Sequence, residues 1–164
     1  MATAFKNLSD FSSTEIPSAK GFKFGIAVSE WNHKVTGALL DGAVAVLKKH
    51  DSTDNDIVIV SVPGTFELST AAQLLLESQE FDAIICLGCV VQGETRHFDF
   101  ICDAVSNGIT NVALKYNKPV IFGVLTTDNM QQAIERSGGK HGNKGDEAAV
   151  TAIKMADLAK RLKK

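Results

Sequence analysis

Four short runs of apolar residues without a single acid, and nearly without a base, alternate along the chain with segments of helical periodicity. The runs are Phe22 to Val28, Ile57 to Val60, Ala83 to Val91 and Val120 to Leu125. After the first, Val35, Leu39, Ala43, Val46 and Leu47 recur at the three-to-four-residue spacing of a helix face, with Asn32 placed to cap it. Asp51 to Asp56 is a turn cluster, and the second run stops at Pro63-Gly64. Helices are then predicted from about Phe66 to Ser78 and from about His97 to Tyr116, the third apolar run lying between them. A short helix capped by Thr127 or Asp128 is expected through Glu135, and a terminal one from about Asp146.

A strand that is apolar on both faces must be covered on both faces, which is the condition of a parallel sheet with helices above and below. Right-handed crossovers then give an α/β fold: a three-layer α/β/α sandwich around a four-stranded parallel sheet, flavodoxin-like in kind. A length of 164 residues suits one domain with a real core. Residues 1–20, rich in Ser and Thr with Pro17, read as a flexible N-terminal arm, leaving 21–164 as the α/β domain.

Composition removes several classes of function. The formal charge is −2, with no basic stripe outweighing the acids, so no nucleic-acid partner is expected. No apolar run approaches the ~20 residues of a membrane span, and the N-terminus lacks the apolar block of a secretory signal. A cytoplasmic protein is expected. Cys86-Leu-Gly-Cys89 has the spacing of a redox dithiol. It falls inside one strand, however, where residues three apart face opposite sides, so the two sulfurs are expected apart and inert. No cluster of His and Cys has metal-ligand spacing, so no metal is expected.

Ligands in such sheets bind beyond the carboxyl ends of the strands, and the unusual polar residues collect there. The first strand runs into Ser29-Glu30-Trp31-Asn32 and the second into Pro63-Gly64-Thr65-Phe66-Glu67. The third runs into Gln92-Gly93-Glu94-Thr95-Arg96-His97 and the fourth into Thr126-Thr127-Asp128. The turn at Gly93-Glu94-Thr95 opens a long helix, whose unpaired N–H groups and dipole favour an anion; an ordinary cap by Thr95 fits equally well. His97, in the first helical turn, is either structural or a proton shuttle, since the dipole and an adjacent phosphate would push its titration in opposite directions. The loop from Arg136 to Gly145 holds four glycines among several cations. It suits a phosphate clamp or a solvated turn, but it is no Walker loop. No dinucleotide fingerprint follows the first strand.

Taken together the segments resemble the 6,7-dimethyl-8-ribityllumazine synthase family. The likeness rests on Phe24-Gly-Ile-Ala-Val28 with Trp31-Asn32, on Val62-Pro-Gly-Thr-Phe-Glu67, and on Gly88-Cys-Val-Val-Gln-Gly-Glu-Thr-Arg-His-Phe-Asp99. It continues through Pro119 to Thr127, Ala133-Ile-Glu-Arg136 and Gly142-Asn-Lys-Gly145. The resemblance implies condensation of 5-amino-6-(D-ribitylamino)uracil with the four-carbon ketose phosphate 3,4-dihydroxy-2-butanone 4-phosphate, with no cofactor. It implies that Trp31 stacks on the pyrimidine, that Asn32, Val90 and Val91 line its edge, and that Gly64, Thr65 and Glu67 meet the ribityl hydroxyls. Glu94 and Thr95 would form the phosphate turn and His97 the proton shuttle. Arg136, Phe122 and Lys144 would come from a neighbouring subunit, with Glu147 pairing with Arg136 between turnovers.

The same resemblance implies a homopentamer. Many members pack twelve pentamers into an icosahedral shell of 60 subunits, and the absence of an insertion between Arg136 and Lys144 resembles those. Two positions depart from the family pattern. Many members carry a small residue at Glu94, so either its carboxylate faces solvent or the phosphate turn is altered. Many also have an N-terminal strand that joins a neighbour's sheet, whereas Asp10 to Lys20 shows no strand alternation. Two other readings stand beside this one: an archaeal-type riboflavin synthase, which dismutates lumazines, and a flavin-binding shell without chemistry.

Overall fold

A computed structural model describes residues 7–12 and 15–163. The uncharged runs become the strands β1 (Phe24–Ser29), β2 (Ile57–Val62), β3 (Ala83–Val91) and β4 (Val120–Thr127). They pair in the order β2-β1-β3-β4, parallel throughout. The helices are α1 (His33–Lys49), α2 (Leu68–Ser78), α3 (His97–Tyr116), α4 (Met130–Glu135) and α5 (Lys144–Leu162). The result is the expected three-layer sandwich. No described helix is long and apolar enough to cross a membrane.

The sheet divides the interior into two cores. Phe24, Ile26, Val28, Ile85, Leu87 and Cys89 turn toward α1 and α5, meeting Val35, Leu39, Ala43, Leu47, Ala149 and Ile153. Ala27, Ile84, Cys86 and Val124 turn toward α2 and α3, meeting Leu68, Ala72, Leu75, Val105 and Ile109. Cys86 and Cys89 therefore lie on opposite faces, as strand periodicity requires. Burial pushes the Cys86 thiol up to about 12 and the Cys89 thiol up to about 11. Neither is a nucleophile near neutrality.

Several local expectations are corrected. Asn32 holds the N-cap position of α1, but its side chain accepts no helix N–H. Its amide instead reaches across the sheet edge, as described below. The cap of α4 is Asn129, not Thr127 or Asp128: its side chain accepts from the Gln132 N–H at 3.0 Å. The helix expected from Phe66 begins with a 3-10 turn at Thr65–Glu67 before α2 proper. The terminal helix starts two residues early, capped by Asn143, whose side chain accepts from Gly145 N at 2.8 Å.

The glycine-rich segment after α4 is not an open loop. It folds into a small antiparallel hairpin of β5 (Ser137–Gly139) and β6 (Gly142–Asn143). Within the N-terminal arm, Ile16 and Ala19 pack against the α1/α5 core, and Ala19 N donates to His50 O at 2.6 Å. Residues 1–6, 13 and 14 of the arm, and Lys164, lie outside the described residues.

Candidate active site

The carboxyl ends of β1, β2 and β3 form one continuous ledge. Backbone pairing runs past the strand limits there, with Glu30 N donating to Val62 O at 2.8 Å and Trp31 N to Pro63 O at 3.1 Å. Trp31, the only tryptophan, is 68% exposed, a large cost in unburied apolar surface unless something covers it. Its ring lies over Gly64: a Cβ added there would stand 2.9 Å from ring atom Cε3 and 3.0 Å from Glu67 Oε2. Glu67 in turn accepts from Gly64 N at 3.0 Å. The bare glycine is what lets ring, backbone and carboxylate meet.

One backbone oxygen organises the ledge. The Cys89 carbonyl, near the end of β3, accepts from Asn32 Nδ2 at 3.0 Å and from Thr65 Oγ1 at 3.4 Å. Asn32 reaches it from a left-handed backbone, φ 61°. Thr65 reaches it because residue 88 is glycine; a Cβ there would stand 2.8 Å from both Thr65 Oγ1 and Thr65 Cγ2. Sequence reasoning missed this acceptor, since a backbone oxygen leaves no residue-type signal. The half-buried Val90 and Val91 continue β3 beyond it.

The third strand then turns through exposed Gly93, Glu94 and Thr95 into α3. Arg96 occupies the N-cap position, so Thr95 is not a regular cap; its Oγ1 accepts from the His97 N–H at 3.4 Å. Glu94 is exposed, and His97 stands exposed at the first helical position. Among the described residues no group of acids, histidines and cysteines could hold a metal ion.

The remaining residues gather elsewhere. Lys144 N donates to Arg136 O at 2.8 Å, which closes the hairpin and brings the backbones of these two residues together. Arg136 folds its guanidinium back onto its own helix end, donating to Gln132 O at 3.0 Å. Lys144 Nζ meets Glu147 Oε1 at 2.6 Å. Within the chain, then, Glu147 pairs with Lys144 and not with Arg136. The hairpin is fastened to α1, on one face of the sheet: Asn143 Nδ2 donates to Ala38 O at 2.8 Å. Thr65 and Gly88 lie on the other face, against Leu68 of α2. Phe122 sits apart from both groups, half-buried on edge strand β4 and packed toward α2 and α3.

Residues 21–160 match the model of the 6,7-dimethyl-8-ribityllumazine synthase family. The chain belongs to that family. It is similar to the 6,7-dimethyl-8-ribityllumazine synthase of Cytophaga hutchinsonii, with 63% identity over 94% of this chain and 97% of the relative. The Porphyromonas gingivalis protein of that name is 54% identical over 96% of this chain and 98% of its own. That of Phocaeicola vulgatus is 49% identical over all of this chain and 98% of the relative.

Proposed function

We propose that this chain condenses 5-amino-6-(D-ribitylamino)uracil with 3,4-dihydroxy-2-butanone 4-phosphate to give 6,7-dimethyl-8-ribityllumazine, one phosphate and two waters. The carrying observation is the ledge itself, in a chain of this family: an exposed aromatic ring and a carboxylate meeting at Gly64, and an amide and a hydroxyl on the Cys89 carbonyl, with His97 opening the next helix. Trp31 stacks on the pyrimidine, Asn32, Val90 and Val91 border its edge, and Gly64, Thr65 and Glu67 meet the ribityl chain. Glu94 and Thr95 bound the phosphate turn at the positive end of α3.

The chemistry needs proton traffic more than a protein nucleophile. The 5-amino group attacks the ketone and loses water to form an imine. Removal of the adjacent proton expels phosphate as an enol forms, and attack by the ribityl-bearing nitrogen on the carbonyl regenerated from that enol closes the ring with loss of the second water. His97 moves these protons, worth about 10²–10⁴-fold. The larger share comes from holding two reactants in a near-attack arrangement.

The phosphate's charge calls for Arg136 and Lys144, whose hairpin is fastened to α1 while Thr65 and Gly88 lie on the α2 side of the sheet. A second copy supplies them, with its Phe122, and a closed homopentamer repeats that contact around a ring. Ile59 on edge strand β2, Phe66, Leu74, Phe100 and Leu114 are all exposed, as a subunit surface awaiting burial would leave them. Twelve rings forming a shell of 60 subunits, in the cytoplasm, complete the reading. Lumazine absorbance from the two substrates tests the activity, and sedimentation tests the particle. No lumazine from the pair, or riboflavin from lumazine alone, would overturn it.

A further inference from the structure

The N-terminal arm and the cationic hairpin make a set of contacts that the proposed reaction does not yet use. Leu8 N donates to His141 O at 2.7 Å, and Asn143 N donates to Ser9 Oγ at 2.9 Å. Ser9 is itself held in place, its N–H donating to Asn7 Oδ1 at 2.8 Å. Between these two bonds lies Gly142, buried and left-handed at φ 82°. A Cβ added there would run into Asn7 Oδ1 and stand 2.7 Å from Ser9 N and 2.9 Å from Leu8 N. The segment 7–9 thus lies flat against the hairpin's backbone.

What it presses on matters. Three polar groups of Asn143 are tied to separate parts of the chain: its N–H to Ser9, its Oδ1 to Gly145 N, its Nδ2 to Ala38 O. The next residue is Lys144, whose own N–H is bonded to Arg136 O. A two-residue strand such as β6 has little to hold it by itself. A hairpin with Gly138, Gly139 and Gly142 also has unusual backbone freedom to lose. Fixing its far strand from outside is the missing constraint.

We propose that residues 7–9 are a positioning strap for the phosphate-binding cations: the arm sets the hairpin, and the hairpin sets Arg136 and Lys144. The inference rests on the reading of those two residues as the clamp for the ketose phosphate. It gives the arm a role inside the reaction, exerted through one backbone contact and the Ser9 hydroxyl.

The test uses Ser9→Ala, which deletes the acceptor for Asn143 N–H, and Leu8→Pro, which deletes the donor to His141 O, each in the full chain. The loss of one such hydrogen bond is expected to raise KM for the ketose phosphate by about fivefold. KM for the ribitylaminouracil and kcat should stay within about twofold by the same reasoning. Amide exchange at Asn143 should speed up, and Ser9→Thr, which keeps a hydroxyl, should restore both readouts. Unchanged exchange, or faster exchange with an unchanged KM, overturns the strap. Arg136→Ser measured alongside separates the two levels: if it too leaves the phosphate KM unchanged, the clamp fails and the strap's role with it.

Discussion

Asn32 is the residue at which stability and site geometry can be pulled apart. Its backbone is left-handed, at φ 61°, and its amide donates to the Cys89 carbonyl at 3.0 Å. Replacing it with Gly or with Ala removes that hydrogen bond equally, at about 1 kcal/mol. The two replacements then differ. Ala in the left-handed region carries roughly 1–2 kcal/mol of strain from its Cβ. Gly carries none, but loses about 0.5–1 kcal/mol through the freer unfolded chain. Asn32→Gly should therefore be about 1.5–2 kcal/mol less stable than the parent, and Asn32→Ala about 2–3. Urea unfolding followed by circular dichroism at one fixed protomer concentration measures both. Trp31, as the only tryptophan, reports the ledge separately through its emission, which should shift in both variants because both untie the β1–α1 turn from β3. If Asn32→Ala proved no less stable than Asn32→Gly, the left-handed turn would not be what residue 32 is held in, and the account of how Trp31 is placed would fall.

His97→Ala should lower kcat by at most about 10⁴-fold while the assembly stays intact, because proximity carries the rest; complete loss in a correctly assembled variant would refute that division. Gly88→Ala should cost about 1–3 kcal/mol, since its Cβ would stand 2.8 Å from Thr65 and 2.9 Å from Leu68 Cδ1, and should raise KM for the ribityl substrate above that for the ketose phosphate. The buried thiols predict alkaline sensitivity. Their folded pKa values, about 12 and about 11, lie above the ordinary thiol value, so above that value the unfolded chain releases protons that the folded chain keeps. Stability should fall as pH rises through that window, and Cys86→Ala with Cys89→Ala should flatten the fall in denaturation midpoints measured from pH 8 to 11. Mixing His97→Ala and Arg136→Ser protomers by unfolding and co-refolding should regenerate activity, with about one site in four built from intact halves; no regain would place both residues in one protomer's site.

The layers of the fold were legible because burial on both faces leaves an unmistakable mark: strands such as Ala83–Val91 hold no charge at all. Where a side chain had two competing partners, the sequence was ambiguous. Asn32 and Asn129 both stand before helices, yet only Asn129 caps, because a carbonyl across the sheet claims the other. The Lys144–Glu147 pair was readable in principle, as a three-residue spacing on one helix face, and was passed over for a pairing of Glu147 with Arg136. The hairpin could not be read, since glycine-rich segments carry little strand propensity and this one is completed by contacts from residues more than a hundred positions away. Asn32 and Thr65 come together on a shared acceptor, but that acceptor is a main-chain oxygen and has no letter.

Helix α1 links the ledge and the cationic hairpin in a way that neither shows alone. Asn32, the residue before its first turn, is tied to the end of β3 and so to the ledge. Ala38, less than two turns later, accepts from Asn143 and so holds the cationic hairpin. Between them the helix is anchored to the α1/α5 core by Val35 and to the first strand by Thr36, whose buried hydroxyl donates to Ser29 O at 2.7 Å. A close-packed helix of this kind moves as a rigid rod or hardly at all. In the ring proposed above, where each copy lends its hairpin to the next copy's ledge, α1 would fix the distance between one proposed site's aromatic floor and the following site's phosphate clamp. In that arrangement the near-attack distance inside any one site is set where two subunits meet, by how one rigid subunit seats on the next.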